Sequence, residues 1–439
     1  MRRLTSFALA LSALASAACS STSAVTDAGG PDAGAIDAGP DVDNGAPSTD
    51  YPAPHPPLPR LVNAKMGPVL TAPKVKLVFF PGYMLEQDLQ AFAQAMTKTA
   101  YWGAIASEYG IGALGYAGTV DRMDAPPATI SQADLGAWFA SELKAGAFGT
   151  PDPQTIYTLF FPASTTITQP NPISPILGTV NSCSAFLGYH DDVDVALGDA
   201  GTTSFAYAVI PTCGPLGSLT ETISHEWIEA ATDPLVSEGG VFTLTGGPRS
   251  AFYGPDQDHL VWALLAGGES ADLCNPEGAS AYITPSDLMY SVERSWSNVS
   301  AKASHDPCVP NIPGAYFAAA PVLDEDVTVD SMLTGKVTTK GVHIAMGASR
   351  TIEVDLFSDG DTGGPWVVTA DDVLATYYGS YGLKPSLSFS WDRTRGQNGE
   401  KLHLTITVIG TSPVAGAHAF MITSLSGKRK TVWPGLVVE

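Results

Sequence analysis

Hydrophobic periodicity changes character near residue 313, and this change restricts the possible folds more than any other feature of the sequence. Before it, strand-like apolar runs alternate with stretches of helical spacing. Residues 75–80 read as a buried strand ending at Pro81-Gly82. Residues 85–109 set Leu89, Phe92, Met96 and Trp102 on related helical faces, and Ser131 starts a second helix carrying Leu135, Trp138, Phe139 and Leu143. Residues 155–162 and 204–211 are apolar strands again. Such alternation predicts an α/β unit, a mixed sheet with flanking helices, over residues 61–312. Beyond residue 313 the helical spacing disappears. Short alternating runs at 342–346, 350–357, 366–369, 386–391, 401–409, 419–425 and 431–438 are separated by turns such as Asp359-Gly360-Asp361 and Asn398-Gly399. These predict an all-β sandwich over residues 313–439.

The start of the chain carries different signals. Arg2 and Arg3 precede a short apolar run, 4–18, which reads as an export signal over residues 1–19. Ser16-Ala17-Ala18-Cys19 matches a bacterial lipobox except that Ser stands where Leu is usual. Cys19 is therefore the expected lipidation site, and plain cleavage near Ala17 or Ala18 is the alternative. Residues 20–60, with three Asp-Ala-Gly triplets and a Pro-rich end, read as a disordered tether. These features predict an exported protein of a Gram-negative bacterium, either secreted or a lipoprotein of the outer membrane or cell surface, with membrane contact only through the lipid.

Asp and Glu number 44 against 22 Lys and Arg, a net charge of -22. So negative a chain repels nucleic acid and anionic lipid, which excludes both as partners. Cys183, Cys213, Cys274 and Cys308 remain once Cys19 is set aside. In an exported chain they read as two disulfides, with proximity favouring Cys183–Cys213 and Cys274–Cys308. A four-Cys zinc site is the rival, weakened by the lack of any Cys-x-x-Cys pair.

The chemistry concentrates in His225-Glu226-Trp227-Ile228-Glu229. Residues four apart share a helix face, so His225 and Glu229 can point at one ion while Glu226 reaches a water beside it. This is the H-E-x-x-H zinc helix with a carboxylate in place of the second His, a donor that zinc accepts. The third ligand expected is Glu269, with Asp272 holding the free ring nitrogen of His225; the two acids exchanging roles is the alternative. His259 and Asp258 are reserve ligands. His190 is the candidate for a polarising group near the substrate, and His305 reads as structural.

The set His225-Glu226-x-x-Glu229-Ala230-x-Thr232-Asp233-Pro234, followed by Glu269-x-x-Asp272-Leu273-Cys274, resembles secreted bacterial and fungal proteins described as zinc metalloproteases. It is more distantly similar to the plant exordium or phosphate-induced proteins. Gly188-Tyr189-His190, the run 207–213, Ser295-Trp296-Ser297-Asn298 and Asp306-Pro307-Cys308-Val309-Pro310 fit the same pattern, which covers residues 75–312. The resemblance implies a zincin-like fold with an active-site helix, followed by an accessory sandwich. The expected activity is zinc-dependent hydrolysis of a peptide or protein by a monomer, with Glu226 as general base. Two carboxylate ligands weaken the ion as an electrophile, which predicts modest activity or another metal such as manganese. The rival expectation is a non-catalytic, wall-associated surface protein with a structural cation and a binding sandwich. In the sandwich, Trp366, Tyr377, Tyr378, Tyr381 and Trp391 form either a carbohydrate platform or core.

Overall fold

A computed structural model of the chain describes residues 43–63, 67–170, 178–197, 201–236, 253–266, 268–331, 335–378, 384–412 and 416–439. The expected signal segment with Cys19, the Asp-Ala-Gly triplets and Tyr381 lie outside the described residues.

The first unit is built on a five-stranded sheet of β1 (Lys74–Phe79), β2 (Gly115–Asp121), β3 (Thr155–Phe161), β4 (Tyr189–Ala196) and β5 (Thr202–Pro211), in the order β2-β1-β3-β5-β4. Strands β2, β1, β3 and β5 run parallel, and β4 is the antiparallel edge. Successive side chains of a strand face opposite ways, so each buried strand feeds two cores. Val75, Leu77 and Phe79 join Phe92, Trp102 and Trp227 on one side. Val78 and Phe80 join Leu135, Phe139 and Leu143 on the other.

Four helices cover the two faces: α1 (Glu86–Met96), α2 (Ala100–Ala106), α3 (Gln132–Lys144) and α4 (Leu216–Thr232). The single helical stretch expected over 85–109 is broken because the Thr99 hydroxyl accepts the Tyr101 N–H and starts α2 afresh. Ser131 caps α3 as expected, accepting from Asp134 N. Helix α4 carries the His-Glu motif and begins about one turn earlier than Thr220, since Pro215 precedes its first turn at a compatible backbone angle. It ends where Asp233 leaves helical geometry just before Pro234. The Trp227 indole N–H donates to Thr158 Oγ1 of β3 at 2.8 Å and pins α4 to the sheet.

The β-rich C-terminal region forms two sheets. Four strands are ordered Phe317–Pro321, Ser349–Ser358, Lys401–Val408, Leu387–Trp391. Six are ordered Glu325–Ser331, Gly335–His343, Arg429–Val438, Ala417–Ser426, Trp366–Asp372, Arg395–Gly396. Their inner faces share one core, in which Val354, Leu356, Leu404 and Ile406 meet Val342, Val368, Phe420 and Val437. Each expected run overlaps one of these strands, but the run 342–346 does so only at Val342 and His343, because the strand ends there. The additional strands include Ala-rich Phe317–Pro321 and acidic Glu325–Ser331, whose compositions carry little strand signal. Trp366 is fully buried and Trp391 packs on the same core, so neither belongs to a surface platform. Tyr377 and Tyr378 end a short helix, Val373–Tyr378.

The two units share apolar packing. Trp262 meets Trp296 at 5.3 Å and Trp433 of the sandwich at 5.9 Å between ring centroids. The expected tether is corrected over its described part. Residues 43–60 form a strap along the molecule, with Ala53 and Leu58 buried. His55 stacks on Phe357 at 3.5 Å, and Trp296 donates its indole N–H to Pro59 O. The Asn398 amide is the clasp: Oδ1 accepts from Ala53 N, and Nδ2 donates to Ser48 O and Asp50 O. Pro-rich chain pays little conformational entropy when ordered, so a few such contacts hold it.

Candidate metal centre

Helix α4 lies between the sheet and a layer formed by residues 268–296, and its acidic face is enclosed by both. His225 and Glu229 point the same way, with His225 Nε2 3.0 Å from Glu229 Oε2. The short strand Val292–Glu293 is stitched along the helix, as Glu293 N donates to Ser224 Oγ and Thr220 Oγ1 donates to Ser291 O. This places Glu293 Oε2 3.1 Å from His225 Nδ1. A carboxylate on Nδ1 fixes the ring and leaves Nε2 to face the acids.

The loop 268–275 arrives from the other side. Gly268 has a positive φ of 89°, and a Cβ there would lie 2.7 Å from Ala263 Cβ, so only glycine fits the turn that presents Glu269. Asp272 N donates to Glu229 Oε1 at 3.1 Å, and Ser270 O accepts from Trp296 N. The disulfide Cys274–Cys308 closes two residues later, and Cys183–Cys213 joins the approach to β4 to the approach to α4. The proximity pairing is the one found, and the four-Cys zinc alternative is set aside.

Strand β4 supplies the remaining imidazole. Its alternation turns Tyr189 and Asp191 toward α3 and His190 toward α4, where His190 pairs in register with Ala208 of β5. His190 Nδ1 lies 3.5 Å from Glu226 Oε2 and 3.8 Å from Glu229 Oε2, and Nε2 lies 3.6 Å from Glu269 Oε1. Gly188 permits the approach, since a Cβ there would lie 2.6 Å from Thr222 Cγ2 and 2.9 Å from Glu226 Oε1.

The electrostatics are severe. Glu226, Glu229, Glu269, Asp272 and Glu293 are all buried, as are both imidazoles, and Glu269 is the most exposed at 8%. Burial raises the pKa of Glu269 and Asp272 well above the ordinary range, and Glu229 adds its repulsion to both. Burial pushes Glu293 up to about 7 despite the His225 charge. Burial alone would lower His190, but Glu269, Glu226 and Glu229 overturn it and push it up to about 10. Burial works against His225 likewise and is overcome by Glu229 and Glu293. Buried acids at such spacing need a cation or protons.

Several of these polar atoms also lack hydrogen bonds. Among the described residues, both ring nitrogens of His190, His225 Nε2, Glu226 Oε2, Glu269 Oε1 and Asp272 Oδ1 are buried without a hydrogen bond. Buried polar atoms are rarely left so, and these converge on one space. Two groups, His225-Glu229-Asp272 and His190-Glu229-Glu269, hold ligand atoms within 4.8 Å of one another and could hold a metal ion. Imidazole nitrogen and carboxylate oxygen are the donors that zinc and manganese accept, so the residues present fit such an ion.

The expected site residues therefore assemble, with changes of role. Glu269 meets Glu229 but sits with His190 instead of His225. Asp272 faces His225 Nε2 at 3.6 Å, on the side of Glu229, and the free ring nitrogen goes to Glu293. His190 is enclosed among the acids. The reserve ligands do not take part: Asp258 is exposed, and His259 bonds Asp256 Oδ1 at 2.7 Å and Pro57 O. His305 pairs with Asp359 at the surface. Glu293 escapes sequence reasoning: it stands beside Arg294 in Ser291-Val292-Glu293-Arg294-Ser295, a stretch with no periodic pattern.

The fold and the cluster define an α/β unit with a buried acid–imidazole centre, joined to a β-rich unit. No protein-family model matches the chain, and no curated protein matches it. The resemblance rests on the sequence motifs that carry it, the His225–Pro234 segment first among them.

Proposed function

We propose that the protein is an exported metal-dependent hydrolase of zincin-like fold, with zinc as the expected ion and a peptide or protein as substrate. The convergence of unpaired buried nitrogen and carboxylate oxygen atoms around Glu229 carries this reading. A mixed sheet with an antiparallel edge strand beside the motif helix is consistent with it. Two disulfides are consistent with an oxidising compartment outside the cell, where lipidation at Cys19 would anchor the chain.

Held by His225 and Glu229 with Asp272 or Glu269, a divalent cation would polarise a carbonyl and lower the pKa of water toward about 7. Glu226 is next to His225, and burial raises its pKa while the nearby His190 imidazole opposes the shift. A carboxylate so poised can take a proton from water and return it to a leaving amine. His190 Nδ1, 3.5 Å from Glu226 Oε2, faces that carboxylate and would favour its charged form.

Glu226→Gln should leave metal content unchanged and abolish hydrolysis of a peptide library by the metal-loaded protein. Turnover at the wild-type level would overturn the mechanism. The burial of the whole cluster favours a second reading, a structural ion in a surface protein. That reading expects a chelator to lower the melting temperature of a protein that cleaves no peptide.

A further inference from the structure

We propose that the centre binds two divalent cations, with Glu229 as the carboxylate they share. The inference rests on the metal-site reading above and is independent of hydrolysis. His225, Glu229 and Asp272 form one triad, and His190, Glu229 and Glu269 form the other. Each brings one imidazole and one private acid, and the two have only Glu229 in common. Glu229 Oε2 lies between the rings, 3.0 Å from His225 Nε2 and 3.8 Å from His190 Nδ1. Its other oxygen is occupied by the Asp272 N–H, which fixes the carboxylate in this orientation.

Unpaired atoms occur in both triads. His225 Nε2 and Asp272 Oδ1 are without hydrogen bonds in the first, and both nitrogens of His190 and Glu269 Oε1 in the second. A single ion in either triad would leave the other with buried, unpartnered donors. Charge leads to the same count. The five carboxylates (Glu226, Glu229, Glu269, Asp272 and Glu293) are buried together, with Asp233 adding its field at Glu269. With ligating imidazoles neutral, one divalent cation leaves the five carboxylates three charges in excess, and two leave one. A low-dielectric interior tolerates the second state far better. Paired cations held by a common carboxylate suit hydrolysis, because the attacking and the leaving oxygen can each be stabilised.

The test is metal content of the full mature chain, stripped and reloaded with Zn²⁺ alone. Two ions per chain are expected, falling to one in His190→Ala and to one in Asp272→Asn. One ion per wild-type chain overturns the pair and leaves the hydrolase reading intact; no ion at all overturns both. Loss of all metal in both variants, with unchanged circular dichroism, also overturns the pair, because it means one ion gripped by both triads. Should a variant not fold, Mn²⁺ loading of the wild type decides. Spin-coupled electron paramagnetic resonance supports two adjacent ions, and a purely mononuclear signal at saturation overturns them.

Discussion

On the strand Ser349–Ser358, Asp355 is partly buried beside Glu353. Burial, followed by the Glu353 charge, pushes its pKa from 3.8 up to about 6. Between those values the folded chain holds a proton that the unfolded chain has lost, so stability falls as pH rises through 6 and is complete below 3.8. Asp355→Asn should therefore raise the unfolding free energy measured in urea near pH 7.5 by about 1 kcal/mol once solvent screening is allowed for, and change it little near pH 3.5. An equal gain at both pH values would contradict the assignment. The catalytic candidates were legible at this scale because a helix imposes its own geometry. His225 and Glu229 are four residues apart, and that spacing alone sets them on one face. Glu293 was not legible, since a strand of two residues has no period to read. The enclosure of His190 depends on which side of β4 faces α4, and that depends on pairing with a strand distant in sequence.

Among the elements, the loop 268–275 contributes two acids without helix or strand geometry to hold them. Its position comes from Gly268, from backbone bonds to Glu229 and Trp296, and from the Cys274–Cys308 disulfide. Closing a loop of 34 residues is worth about 3–4 kcal/mol in the chain-entropy account. Cys274→Ser with Cys308→Ser should lose stability of that order in urea unfolding and weaken Zn²⁺ affinity measured by titration. Unchanged affinity in the folded variant would mean that the other contacts suffice to hold the loop. The strand–helix alternation and most sandwich strands were readable because each buries one face at its own period. The break between α1 and α2 and the early start of α4 were not, because capping by Thr99 and entry at Pro215 are local choices inside apolar stretches.

At the scale of the molecule, the strap 43–60 and the Trp262–Trp433 contact join the α/β unit to the sandwich. Composition marks the strap as tether, and only tertiary contacts with Asn398, Phe357 and Trp296 order it. A chain beginning at residue 61 should melt lower by calorimetry, by an amount equivalent to about 3 kcal/mol, from the exposed apolar surface and lost hydrogen bonds. An unchanged midpoint would reduce the strap to a loose leader.

The depth of the acid–imidazole cluster has a kinetic consequence. Among the described residues each of its carboxylates and both rings are buried, Glu269 the least so at 8%, so an ion seated there would exchange slowly with bulk solvent. Its departure would require local opening of the packing around α4, so its residence time would follow the frequency of that opening. A protein of this kind would keep its ion through long dilution in metal-poor surroundings.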